Sequence, residues 1–141
     1  LGVVIFTDFT FIGSASLINK KSIDDSIKLD LKFSMMRFWD KHLYIYSKKN
    51  NYLLIPGMTS IKDFKETVSY NCCIIKIFPV AKKDILLDIN KFKQISFIGA
   101  GDIALNNINK FKSLGFRGVV VGSKGYDGEK FDPEIFKILN S

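Results

Sequence analysis

A chain of 141 residues, 47% hydrophobic and 25% charged, has the length of one domain with its own core and is too apolar to be a disordered segment. Its 21 Lys and Arg outweigh 14 Asp and Glu, for a net charge of +7, yet Arg37 and Arg117 are the only arginines and the lysines are dispersed. That pattern reads as a solvated basic surface, and no nucleic-acid partner is expected. No apolar run approaches the roughly 18 to 20 residues of a membrane-spanning helix, and the opening LGVVIFTDFT lacks the basic start and cleavage site of a signal peptide. Cys72 and Cys73 are adjacent, which excludes a disulfide framework. A soluble cytoplasmic protein with no membrane partner is expected. The start at Leu1 reads as a fragment or a processed end.

Taken in chain order, six short apolar runs stand out, centred on Ile12, Phe33, Leu54, Ile75, Phe97 and Val120, at intervals of 21, 21, 21, 22 and 23 residues. Between them lie polar stretches with apolar residues every three or four positions, such as KSIDDSIKLD, SIKDFKETVSY and DIALNNINKFKSLG. Ser22, Ser60, Asp102 and Asp132 are expected N-caps, the last followed by Pro133. Strands apolar on both faces, alternating with single helices, imply a parallel α/β sheet. The short, even period favours a (β/α)8 TIM barrel over an open doubly wound sheet. Such a barrel needs at least about 200 residues, so the chain is expected to hold about six of eight strand–helix units in one domain, residues 1–141, without roughly the first two.

Lys76 interrupts the apolar run CCIIKIFPV. Alternation places Ile74, Lys76 and Phe78 on one face of a strand and Ile75 and Ile77 on the other. A charged ammonium inside a central strand is costly, and burial favours the neutral amine, which can attack a ketone and form a Schiff base. Position alone leaves a second reading open, a lysine that reaches solvent at an edge or pairs with a carboxylate. His42 is the only histidine and has no ligand cluster around it, so no metal and no cofactor are expected.

The stretch IPGMTSIKDF, followed after a short helix by IIKIFPV, resembles the KDPG/KHG aldolase family, the 2-dehydro-3-deoxy-phosphogluconate and 4-hydroxy-2-oxoglutarate aldolases. Pro56, Gly57, Ser60 and Asp63 fall on the family's first pattern, and Lys76, Phe78 and Pro79 on its lysine strand. FIGSASLI, KFSMMRFW, ISFIGAGDI and VVVGSKGY resemble further family strands in the same order. The resemblance implies a class I aldolase, with Lys76 as Schiff-base residue, that cleaves a small 2-oxo-4-hydroxy acid to pyruvate and an aldehyde. It implies that Ser16 touches the pyruvyl carboxylate and that Phe78 packs over the pyruvyl group. It also implies that Gly101, Asp102, Gly122, Ser123 and Lys124 lie at the distal, anionic end, and that the chain forms a homotrimer.

The chain departs from the family pattern in several places. Asp102 stands where a glycine amide meets phosphate, Lys124 lies at or beside the phosphate-binding serine, and Met36 and Arg37 replace a Ser-Pro pair. The family's catalytic glutamate and a substrate-binding arginine lie on its first two strands, which this chain does not contain. The alternatives are a catalytically degenerate member of the same barrel family and a dinucleotide-binding fragment. The second rests on Gly99, Gly101 and Ala104, but only one further strand follows, and no acidic residue stands about 20 positions on.

Overall fold

The computed structural model describes residues 3–6, 9–17, 19–80, 89–104, 106–121 and 134, the first two segments as backbone. Strands β1 (Val3–Phe6) and β2 (Phe9–Leu17) are followed by α1 (Lys20–Lys28), β3 (Phe33–Met36), α2 (Lys41–Lys49) and β4 (Leu53–Ile55). Then come β5 (Gly57–Met58), α3 (Ile61–Ser69), β6 (Ile74–Ile77), a 3-10 turn (Ile89–Lys91), β7 (Ser96–Ala100), α4 (Ile108–Ser113) and β8 (Gly118–Val120). All six expected strand centres fall inside strands.

The strands form one hydrogen-bonded order, β4-β3-β2-β1-β8-β7-β6-β5. Its two ends, β4 and β5, are consecutive in the chain and separated only by Pro56, so the ladder returns to the extended stretch on which it starts. Every pairing is parallel except those of β1, which runs antiparallel to both β2 and β8. β1 lies in the opening residues, for which apolar spacing predicts no element. The fold is α/β with the alternation of a TIM barrel, and β1 bridges β2 and β8.

Two apolar clusters separate the two faces of the strands. Phe33 and Met35 of β3, Ile55 of β4 and Ile98 of β7 form a small cluster, joined by Ile74 and Val120. These alternate along each strand with Met36, Leu54, Ile75, Ile77, Phe97 and Val119, which belong to the larger cluster that also holds Ile23, Leu43, Phe64, Ile108 and Phe111 of the four helices. The helix-bearing face is therefore the outer one and the small cluster the inner one, as in barrels. Phe97 is 1% exposed; its ring centre lies 6.2 Å from that of Phe64, which in turn meets Phe92 edge-on at 4.9 Å. Burying a phenyl ring so completely contributes about 2–3 kcal/mol. Phe97, Phe111 and Phe116 thus belong to the core between helices and strands, and Phe92 packs against it.

Local chemistry fixes where the helices start. Ser60 caps α3 as expected: its hydroxyl accepts from the Asp63 amide at 3.1 Å, while the Asp63 carboxylate accepts from Thr59 N–H at 2.9 Å. Asp40 caps α2 and accepts from the amides of His42 and Leu43. Two expected caps are corrected. Asn19, not Ser22, caps α1, because its side chain accepts from the Ser22 amide at 2.9 Å and the helix already begins at Lys20. Asp102 does not cap α4, which begins at Ile108 after Asn107. Asp102 instead has φ +55 in the preceding loop, where Asn107 donates to its carbonyl at 2.7 Å and accepts from Ala104 N–H at 2.9 Å. Asp132 lies outside the described residues.

Candidate active site

Lys76 is the third residue of β6 and continues the inner face begun by Ile74. In register it pairs with Gly57 of β5 and Ile98 of β7, and Ile98 pairs in turn with Gly118 of β8. Main-chain bonds from Lys76 N–H to Pro56 O at 2.9 Å and from Phe78 N–H to Met58 O at 3.0 Å lock β6 against β5. The residue is only 6% exposed. Among the described residues the ion pairs are Lys21–Asp25 and Lys32–Asp30, and no carboxylate neutralises Lys76. Burial, and after it the positive charge of Arg37, push the ammonium down from the ordinary 10.5 to about 8. Of the two readings open at the sequence level, the buried, unpaired amine holds among the described residues.

Gly57 explains how β3 approaches this lysine. A Cβ at Gly57 would lie 2.4 Å from the Met36 carbonyl oxygen and 2.5 Å from that of Arg37. The backbone leaving β3 is thus pressed against β5, one strand away from Lys76. Arg37 is exposed, and its guanidinium carbon lies 5.2 Å from the centre of the Phe38 ring. Two residues further on, Trp39 packs on Tyr44 and Tyr70, each at 5.5 Å, and Asp40 starts α2. The segment carrying Arg37 is consequently held at both ends.

The other residues singled out by the sequence distribute as follows. Phe78, half-buried, follows β6, and its ring would lie 3.1 Å from a Cβ at Gly101, whose φ is +90. Only glycine suits that conformation and that contact. Gly101 and Phe78 are therefore packed together at the C-terminal ends of β7 and β6, the end at which barrel folds carry their chemistry. Asp102 follows, exposed. Ser16 lies near the C-terminal end of β2, where the pairing with β3 shifts between Ala15 and Leu17. Gly122, Ser123 and Lys124 lie outside the described residues. His42 is exposed in the first turn of α2.

Arg37 stands out in the sequence only as a departure from a pattern; its approach to Lys76 has no local signal. The dinucleotide reading loses its geometry here. Its fingerprint requires a helix that opens on the glycine motif, and α4 begins only at Ile108. A cavity of about 380 Å³ opens at the opposite end of the strands, lined by Tyr52, Leu53, Asn71 and Cys73 among others, and does not include Lys76. No helix of the described residues is long and apolar enough to cross a membrane.

An α/β barrel-type fold with a buried lysine that has no carboxylate partner among the described residues, near the C-terminal ends of its strands, is the class that this geometry defines. No protein-family model matches the sequence, and no curated protein does either. Solved structures do match. The KDPG aldolase of Legionella pneumophila, captured with pyruvate as a covalent carbinolamine, is 23% identical with a TM-score of 0.72, over 93% of this chain and 66% of that one. The 2-keto-3-deoxy-6-phosphogluconate aldolase of Zymomonas mobilis ZM4, with 3-phosphoglycerate, is 19% identical with a TM-score of 0.75, over 92% of this chain and 65% of that one. A 4-hydroxy-2-oxoglutarate/2-dehydro-3-deoxyphosphogluconate aldolase gives 14% identity and a TM-score of 0.76, over 93% of this chain and 70% of its own. The chain has the fold of these aldolases and spans about two thirds of their length.

Proposed function

We propose that this chain is a member of the KDPG/KHG aldolase family, a single aldolase-type domain that cleaves a 2-oxo-4-hydroxy acid through a Schiff base on Lys76. The observation that carries the reading is Lys76 itself: buried on the inner face, without a carboxylate partner among the described residues, and held at about 8. The neutral amine attacks the C2 ketone, and loss of water from the carbinolamine gives an iminium. As the C4 hydroxyl gives up its proton to the water released from the carbinolamine, the C3–C4 bond breaks and its electron pair moves into the iminium. An aldehyde leaves, and the enamine takes a proton at C3. Hydrolysis then returns the amine and releases pyruvate. Phe78, packed on Gly101, forms the wall beside the pyruvyl group. Ser16 hydrogen-bonds its carboxylate, and Gly101, Asp102, Gly122, Ser123 and Lys124 surround the distal end, which is phosphorylated or carries a second carboxylate.

The active form is a homotrimer in the cytoplasm. A degenerate, non-catalytic barrel has no use for a lysine whose burial, without a carboxylate partner among the described residues, costs stability. Incubation with pyruvate and borohydride, followed by mass spectrometry, tests the proposal. A reduced pyruvyl adduct confined to Lys76 and absent from Lys76→Met is the expected result. Well-folded protein without an adduct, or with adducts spread over surface lysines, overturns it.

A further inference from the structure

Resting on that reading, a second residue of the site follows from where β3 ends. We infer that Arg37 binds the carboxylate of the 2-oxo acid and so selects acids over neutral ketones. Its backbone carbonyl is pressed on Gly57, and Gly57 is the register partner of Lys76, so Arg37 leaves β3 only one strand away from the reactive amine. Its side chain is exposed, lies against the Phe38 ring, and pairs with no carboxylate among the described residues. Trp39, clamped between Tyr44 and Tyr70, fixes the segment that follows.

The chemistry of the ligand follows from this juxtaposition. Burial first, and the repulsion of Arg37 after it, hold Lys76 toward the neutral form, and no carboxylate among the described residues offsets that repulsion. An anion between them relieves it. In a 2-oxo acid the carbon attacked by the amine is bonded directly to the carboxylate, so a guanidinium beside the amine meets the carboxylate while the ketone meets Nζ. The guanidinium fork can hold both carboxylate oxygens at once, which orients the ketone for attack.

The test compares pyruvate, hydroxyacetone and lactate on the whole protein and on Arg37→Gln, Arg37→Lys and Lys76→Met. Lactate carries the carboxylate but cannot form a Schiff base. Arg37 is exposed, so its variants are expected to keep the thermal midpoint. In Arg37→Gln the pyruvate concentration giving half-maximal borohydride trapping should rise about tenfold or more, as for loss of a charge-assisted contact. Trapping of hydroxyacetone, which loses only the smaller help that Arg37 gives in keeping Lys76 neutral, should fall by a clearly smaller factor than that of pyruvate, and Arg37→Lys should recover part of the pyruvate effect.

Lactate binding, followed by NMR titration, should be weakened in Arg37→Gln and kept in Lys76→Met. Equal pyruvate trapping by wild type and Arg37→Gln overturns the assignment of Arg37 and leaves the aldolase reading standing. Lactate binding that depends on Arg37 in a protein that never traps pyruvate keeps the carboxylate site and overturns the Schiff-base reading. Wild type that binds no lactate, or Arg37→Gln that binds it equally well, overturns the assignment.

Discussion

Replacing Lys76 by methionine keeps the length of the side chain and removes its charge, which isolates the cost of burying an ammonium. In the folded protein that group is held at about 8, against an ordinary value of 10.5. At about 1.4 kcal/mol for each tenfold change in protonation, the difference amounts to roughly 3 kcal/mol. The folded-state value lies below the unfolded one. The penalty is therefore full below about pH 8, where the lysine is charged in both states. It shrinks as the pH rises from about 8 to 10.5, and vanishes above that, where the amine is neutral in both states.

Lys76→Met should accordingly be more stable than wild type by up to about 3 kcal/mol at pH 7, and the gain should fade toward pH 10.5. The same substitution abolishes trapping of pyruvate. The reason to keep so costly a residue is kinetic: at pH 7 roughly a tenth of a lysine titrating near 8 is the free amine, against roughly one part in three thousand at the ordinary value. Urea unfolding of both proteins at pH 7 and at pH 10.5 measures the difference. A gain that is absent at pH 7, or equal at the two pH values, refutes desolvation of Lys76.

Other substitutions probe what positions the lysine. Gly57→Ala places a methyl group against the carbonyls of Met36 and Arg37, both backbone, so β3 and β5 must separate. A loss of about 2–4 kcal/mol is expected, as for other overpacked or strained sites, together with a fall in pyruvate trapping at Lys76, read by thermal unfolding and mass spectrometry. Ser60→Ala removes the hydroxyl that accepts from Asp63 N–H, and should lower the urea midpoint by the equivalent of about 1 kcal/mol with an unchanged slope.

What the sequence determines by itself is the part of the fold that depends on short-range periodicity. The centres of β2, β3, β4, β6, β7 and β8 and the helices α1, α3 and α4 follow from apolar spacing within a dozen residues. The same alternation puts Lys76 on the face opposite Ile75 and Ile77, and the two apolar clusters divide along that line. Ser60 could be read as a cap because its partner, Asp63, is three residues away.

Tertiary structure decides the rest. The two residues that link β1 to β2 already require an antiparallel hairpin, so what only the tertiary structure adds is the second partner of β1, the distant strand β8. The start of α4 moved to Ile108 because Asn107 ties the loop after β7 by two hydrogen bonds that spacing does not specify. Arg37 becomes part of the lysine's environment through a close approach of backbones at Gly57. Burial of Lys76, the larger cause of its lowered pKa, and the charge of the arginine after β3, the smaller one, both act through space and exist only once the strands are side by side.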